Sequence, residues 1–130
     1  MVREELPAWC AVRGFDVGRL GAWGWSMGGY GALLLAEAYP RFVRAVAAFS
    51  PAVVPGDPVF RGVDRLTGTP VGLWCGRDDP LFPQVRALRR ALPALPAAGT
   101  FGPGKHDFAY WSTAIPAAFA FIAERLRSPV

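Results

Sequence analysis

Short apolar runs alternate with longer stretches in which apolar residues recur at helical spacing. Arg19–Gly24, Val43–Phe49 and Val71–Cys75 are compact and apolar, and each is bounded by turn-forming residues, as buried strands are. A fourth, shorter run near Ala98–Phe101 has the same character. Between them lie helical patterns. Gly28–Tyr39 is rich in Ala and Leu and ends near Pro40. Leu81–Leu92 places Leu81, Val85, Leu88 and Leu92 on one side, and Ala109–Leu126 carries the stripe Ile115, Phe119, Ile122 and Leu126. Val2–Arg13 reads as a leading helix with Leu6, Trp9 and Cys10 together, Pro7 falling in or near its first turn, where a missing N–H costs little. Pro51–Pro70, rich in Pro, Gly and Asp, reads as a loop. Strand–helix alternation of this kind predicts an α/β fold, with a parallel sheet of about four strands and flanking helices.

Candidate chemistry sits at the junctions. Gly24-Trp25-Ser26-Met27-Gly28 places a serine between the first strand and its helix, with glycine two positions to either side. That pattern fits a nucleophile elbow, a strained turn in which side chains at Gly24 and Gly28 are expected to collide with the neighbouring strand and helix. The plain alternative is an ordinary serine in a glycine-rich turn. A serine hydroxyl needs a base, and the base needs an orienting group. The single histidine, His106, falls in another strand-to-helix loop, and the third strand runs into a turn carrying Asp78 and Asp79. In a parallel sheet these loops share the edge at which Ser26 stands. The order Ser, Asp, His is that of the α/β-hydrolases. Asp107, adjacent to His106, is expected to be solvated or to cap a turn.

Gly24-Trp25-Ser26-Met27-Gly28-Gly29-Tyr30-Gly31, Gly76-Arg77-Asp78-Asp79-Pro80 and Gly104-Lys105-His106-Asp107 together resemble the α/β-hydrolase superfamily, and within it esterases related to esterase D. Ser50-Pro51 is similar to the Ser-Pro that often closes the next strand in such esterases. The resemblance implies a Ser-His-Asp triad that hydrolyses carboxylic esters through an acyl-enzyme. Its acid-turn spacing (Gly, two residues, Asp, often Pro) selects Asp79 over Asp78. The triad is then Ser26, Asp79 and His106, with the Met27 N–H as an oxyanion donor. The resemblance also implies that residues 1–130 are a single, partial domain, the C-terminal half of the fold, beginning at the helix before the nucleophile strand. A second oxyanion donor would then lie outside this sequence. The Arg19–Gly24 strand would present a bare edge, with Leu20, Ala22 and Trp23 exposed and open to self-association.

Composition narrows the rest. The chain is 52% hydrophobic, enough for a core, with no uninterrupted apolar run of membrane-spanning length. Arg3, Glu4 and Glu5 near the start, with no apolar run behind them, argue against a signal peptide and for a cytoplasmic location. Two cysteines, Cys10 and Cys75, do not make a disulfide framework, and Cys75 reads as a buried thiol. With one histidine they cannot assemble the usual zinc set, so neither metal nor cofactor is expected. The net charge of +4 comes from scattered arginines, and Arg86, Arg89 and Arg90 read as the wet face of a helix. Nothing there suggests nucleic acid. The expected partner is a small-molecule ester, held in an open site beneath the short Pro51–Pro70 segment. The competing classes are a truncated, weakly active or non-catalytic remnant and a binding module.

Overall fold

Four parallel strands in sequential order, β1 (Gly21–Trp25), β2 (Ala45–Phe49), β3 (Val71–Gly76) and β4 (Phe101–Gly102), form the sheet in the computed structural model, which describes residues 2–127. Gly21 pairs with Ala45, Val46 with Val71 and Cys75 with Phe101, so the strands end together at one carboxyl edge. The connections contain α2 (Met27–Ala38), α3 (Pro58–Arg61) with a following 3-10 turn (Val63–Leu66), and α4 (Phe82–Ala91). A leading helix, α1 (Glu5–Val12), precedes β1, and α5 (Phe108–Arg127) ends the described chain.

The alternation of side chains along β2 and β3 feeds two cores. Val46, Ala48, Val71, Leu73 and Cys75 face α2, α3 and α4, where they meet Leu33, Val59, Val85 and Leu88. Ala45, Ala47, Phe49 and Trp74 face α5. Every residue of β2 and β3 is buried, as expected for parallel strands covered on both faces. Each large side chain removed from water in this way, such as Leu33 or Phe49, contributes about 1.5–3 kcal/mol.

Two local expectations are corrected. Pro51–Pro70 is not an open loop, because Asp57 caps a helical turn through Phe60 N–H at 3.1 Å, and Val53, Val59, Val63 and Leu66 are buried in the core beside α2. The apolar face of α5 is Tyr110, Trp111, Ala114, Ala118, Phe121 and Ile122, while Phe119 is exposed. Of the expected stripe, Ile122 is buried and Ile115 and Leu126 pack half-buried against the same cluster, which also holds Trp74 and Phe49. Helix α1 buries none of its residues. Leu6 and Cys10 instead border an apolar groove of about 510 Å³ beside β1 and α2. Among the described residues no helix is long and apolar enough to cross a membrane.

Candidate active site

Ser26 occupies the turn between β1 and α2 with a left-handed backbone, φ 54° and ψ −120°. A non-glycine residue in such a conformation typically costs about 1–3 kcal/mol, held in place by its surroundings. Those surroundings are on both sides of the turn. The Ser26 N–H donates to Phe49 O at 2.9 Å, and its carbonyl accepts from Tyr30 and Ala52 N–H groups, each at 3.0 Å. The turn closes because Gly24 has no Cβ, since one built there would sit 2.5 Å from the Gly28 carbonyl carbon. Gly28 itself faces open space, contrary to expectation, and the second tight position is Gly29, whose Cβ would lie 3.0 Å from Gly24 O. Met27 is the first residue of α2, and the first-turn N–H groups of a helix have no partner within it.

The acid comes from the turn after β3. Asp79 is buried, accepts the Leu81 N–H at 2.8 Å and meets His106 Nδ1 at 2.8 Å. Asp78 is exposed, and its backbone N–H donates to Gly104 O at 2.9 Å. That contact ties the acid turn to the histidine loop. Arg77 strengthens it, giving its N–H to Gly102 O at 2.8 Å and a guanidinium N–H to Phe101 O at 2.7 Å. The approach is close enough that a Cβ on Gly76 would strike the Gly104 backbone.

His106 joins the two. Its Nε2 lies 2.9 Å from Ser26 Oγ, and its side chain is 28% exposed beside a wholly buried Asp79 carboxylate. With the ring proton on Nδ1 donated to Asp79, Nε2 is free to accept from the serine hydroxyl. Asp107 does not enter the cluster. It caps α5 by accepting the Tyr110 N–H at 3.0 Å. An aromatic ring flanks the imidazole: Trp111 meets it edge-on at 5.0 Å and itself stacks on Trp25 at 5.4 Å.

Ser26, Asp79 and His106 are thus brought together, with Met27 at the adjoining helix start. Sequence reasoning missed the roles of Trp111 and Ser50 in the same neighbourhood. Trp111 was masked by the helical stripe assigned to α5, although an indole N–H in an apolar helix face signals a buried partner. Among the described residues no group of three or more His, Cys, Asp or Glu could hold a metal ion. Both cysteines are free.

A parallel sheet flanked by helices, with serine, carboxylate and histidine assembled at its carboxyl edge, is the fold of the α/β-hydrolases. The family model Esterase, described as "Putative esterase", matches residues 1–122, and the chain belongs to that family. Solved structures agree on the fold. A ferulic acid esterase superposes with TM-score 0.80 at 22% identity, covering 96% of this chain and 60% of its own. An S-formylglutathione hydrolase from Agrobacterium tumefaciens gives 0.71 at 23% identity, covering 96% and 56%. Enterochelin esterase from Shigella flexneri gives 0.79 at 18%, covering 98% and 37%. The chain therefore spans well under two thirds of the length of these relatives. No curated protein matches it.

Proposed function

We propose that this chain carries the catalytic groups of a serine hydrolase acting on small carboxylic esters. The observation behind the proposal is the unbroken pair of bonds Ser26 Oγ to His106 Nε2 to Asp79, at 2.9 and 2.8 Å. Ser26 Oγ attacks the ester carbonyl as its proton passes to His106 Nε2, and the negative charge grows on the carbonyl oxygen beside the Met27 N–H. Asp79 fixes the ring and stabilises the imidazolium. Collapse of the tetrahedral adduct breaks the bond to the alkoxy oxygen, which leaves as the alcohol with the His106 proton. Water then attacks the acyl-enzyme, activated by the same histidine, to give the carboxylic acid and restore Ser26. The strained turn around Ser26 belongs to this reading, as a nucleophile elbow.

Hydrolysis of a short-chain aryl ester tests it. Turnover should vanish with Ser26→Ala, and a fluorophosphonate should label the parent protein but not the variant. Because the His106 imidazole must be neutral to accept the serine proton, activity should fall on acidification. Labelling that survives Ser26→Ala would overturn the assignment.

A second reading is favoured by the chain's 60% share of the ferulic acid esterase and by the exposed Trp23 on β1. In this reading the isolated chain is only weakly active, holding one oxyanion donor, and self-associates through its β1 edge. Loss of one such donor typically lowers turnover by about a hundred- to a thousandfold. Extending the chain with the segment corresponding to the rest of the ferulic acid esterase should then recover about that factor. Full turnover by the unextended chain would overturn this second reading.

A further inference from the structure

The hydrogen bonds that hold the His106 ring both lie at its nitrogens, Nδ1 to Asp79 at 2.8 Å and Nε2 to Ser26 Oγ at 2.9 Å. Such a pair fixes the direction of the ring but not its tilt, because a roll about the line through the two partners keeps both distances. A further contact has to set the tilt. The Trp111 ring stands against the imidazole at 5.0 Å and 85°, an edge-to-face arrangement of the kind aromatic rings favour.

Trp111 can brace the imidazole because it is itself held on several sides. Its indole N–H donates to Ser50 Oγ at 3.0 Å, and both residues are buried. An indole nitrogen can only donate, so this bond fixes which way round the ring lies. Its face stacks on Trp25 at 5.4 Å and 10°. Its backbone N–H donates to Asp107 O at 3.1 Å, at the start of α5 and directly after His106. The anchor is held as well. Ser50 is fully buried with a left-handed backbone, φ 45°, and gives its N–H to Trp74 O at 2.8 Å. It follows Phe49, whose carbonyl accepts the Ser26 N–H, while Trp25 precedes Ser26. The indole is thus fixed to the ends of β1 and β2, the strands that also fix Ser26, and it sets the base against them.

The brace matters most where one of the hydrogen bonds is gone. Before reaction the imidazole is tied at both nitrogens. Once Ser26 Oγ carries the acyl group it has no proton to give Nε2, and of these contacts only those to Asp79 and Trp111 remain. We propose that Trp111, pinned by Ser50, is the positioning residue that keeps His106 aligned in the acyl-enzyme, and so sets how fast that intermediate is hydrolysed. The proposal rests on the Ser26–His106–Asp79 reading above. In the step concerned, water bonds to the acyl carbon as its proton passes to Nε2. The bond from that carbon to Ser26 Oγ then breaks, Ser26 recovers the proton, and the carboxylic acid leaves. A ring free to roll meets the water out of plane, and a small misplacement of a reacting group costs rate steeply.

p-Nitrophenyl acetate separates the two half-reactions, because its good leaving group makes acylation the faster one. The burst of nitrophenol gives the rate of acylation, and the decay of the acetyl adduct, followed by intact mass, gives the rate of deacylation. Trp111→Leu should slow the decay by about three- to tenfold, the worth of one aromatic pair, and leave the burst rate within about twofold of the parent. Ser50→Ala keeps the indole but unpins it, and Trp111→Phe keeps a ring but has no N–H to give, so each should slow the decay by less. Ser50→Ala added to Trp111→Phe should cost nothing further, since the bond between them is already lost. Burst and decay slowed alike in Trp111→Leu would mean a general loss of structure and would overturn the proposal. So would an unchanged decay in Ser50→Ala and Trp111→Phe. Should Trp111→Leu fail to fold, those two variants, checked by near-UV circular dichroism, decide the matter alone. Nitrophenol release that survives Ser26→Ala would remove the hydrolase reading. A Ser26-dependent adduct that decays at the parent rate in every variant would remove only the brace.

Discussion

Asp78 and Asp79 follow one another at the end of β3, and the backbone sends only the second inward. The Asp78 N–H is drawn to Gly104 O, while the buried Asp79 carboxylate is fixed between Leu81 N–H and His106. On the proposed mechanism, Asp79→Asn should lower turnover by about ten-thousandfold, as expected when the imidazole loses its orienting carboxylate. Asp78→Asn should leave turnover within about twofold of the parent, in line with an exposed site away from the reacting atoms. Steady-state hydrolysis of an aryl ester distinguishes them, and an equal loss in both would undo the choice of acid. The glycines make a second contrast. Gly24→Ala pushes a methyl into the Gly28 backbone, whereas Gly28→Ala points it into open space. Thermal melts should show Gly24→Ala strongly destabilised, by about 2–4 kcal/mol or unfolded outright, with Gly28→Ala near the parent.

At the scale of elements, α2 does more than follow the Ser26 turn. Its Glu37 is buried against the α3 and 3-10 segment, and neither carboxylate oxygen has a hydrogen-bond partner among the described residues. Burial first, then the Asp57 charge, raise its pKa from 4.5 to about 7, against the opposing pull of Arg65. The folded state therefore holds this proton more tightly than the unfolded chain. The sign follows from linkage: as pH rises from about 4.5 to about 7 the unfolded chain ionises first, and stability is progressively lost. The loss is on the order of 3 kcal/mol. Denaturant melts between pH 4 and 8 should show this decline in the parent and a flatter profile in Glu37→Gln. Identical profiles would mean that Glu37 is already paired and ionised. The same segment explains a limit of pattern reading. Val53, Val59, Val63 and Leu66 lie among prolines, glycines and charges, so no local periodicity marks them as core. Their burial comes from α2 and β2 beneath them.

For the whole molecule, the sheet is unequal at its margins. β4 contributes only Phe101 and Gly102, whereas β1 is five residues long and, among the described residues, has β2 as its only neighbour. Leu20 O accepts from Arg44 N–H and the Ser26 N–H donates to Phe49 O, so the alternate residues Gly21, Trp23 and Trp25 turn their peptide groups outward. Trp23 is 40% exposed, and the groove of about 510 Å³ beside it continues the apolar surface, while Leu20 and Ala22 are half-buried. An edge of this kind pairs readily with another strand. Light scattering on the purified chain should report a mass above the monomer, and Trp23→Lys, placing a charge on the edge, should lower it. A monomer in both would show that β1 is protected without a partner.

Much of this architecture was legible in the residues. Parallel strands buried on both faces must be continuously apolar, so β2 and β3 stand out as runs, and their helices follow from spacing. The order of Ser26, Asp79 and His106 was visible because each lies at a strand-to-helix junction, which a parallel sheet gathers onto one edge. The need for a bare Gly24 was legible in the Gly-x-Ser-x-Gly pattern, whereas folding decided that its companion is Gly29 and not Gly28, because the distant Pro51 packs against Gly29. It also decided that the Trp111 indole N–H meets Ser50 Oγ. The two are 61 positions apart, and only the packing of α5 across β2 and β3 brings the indole to the serine. Periodicity records which way a side chain faces on its own element; what it meets there depends on the size and shape of residues from every other element in the core.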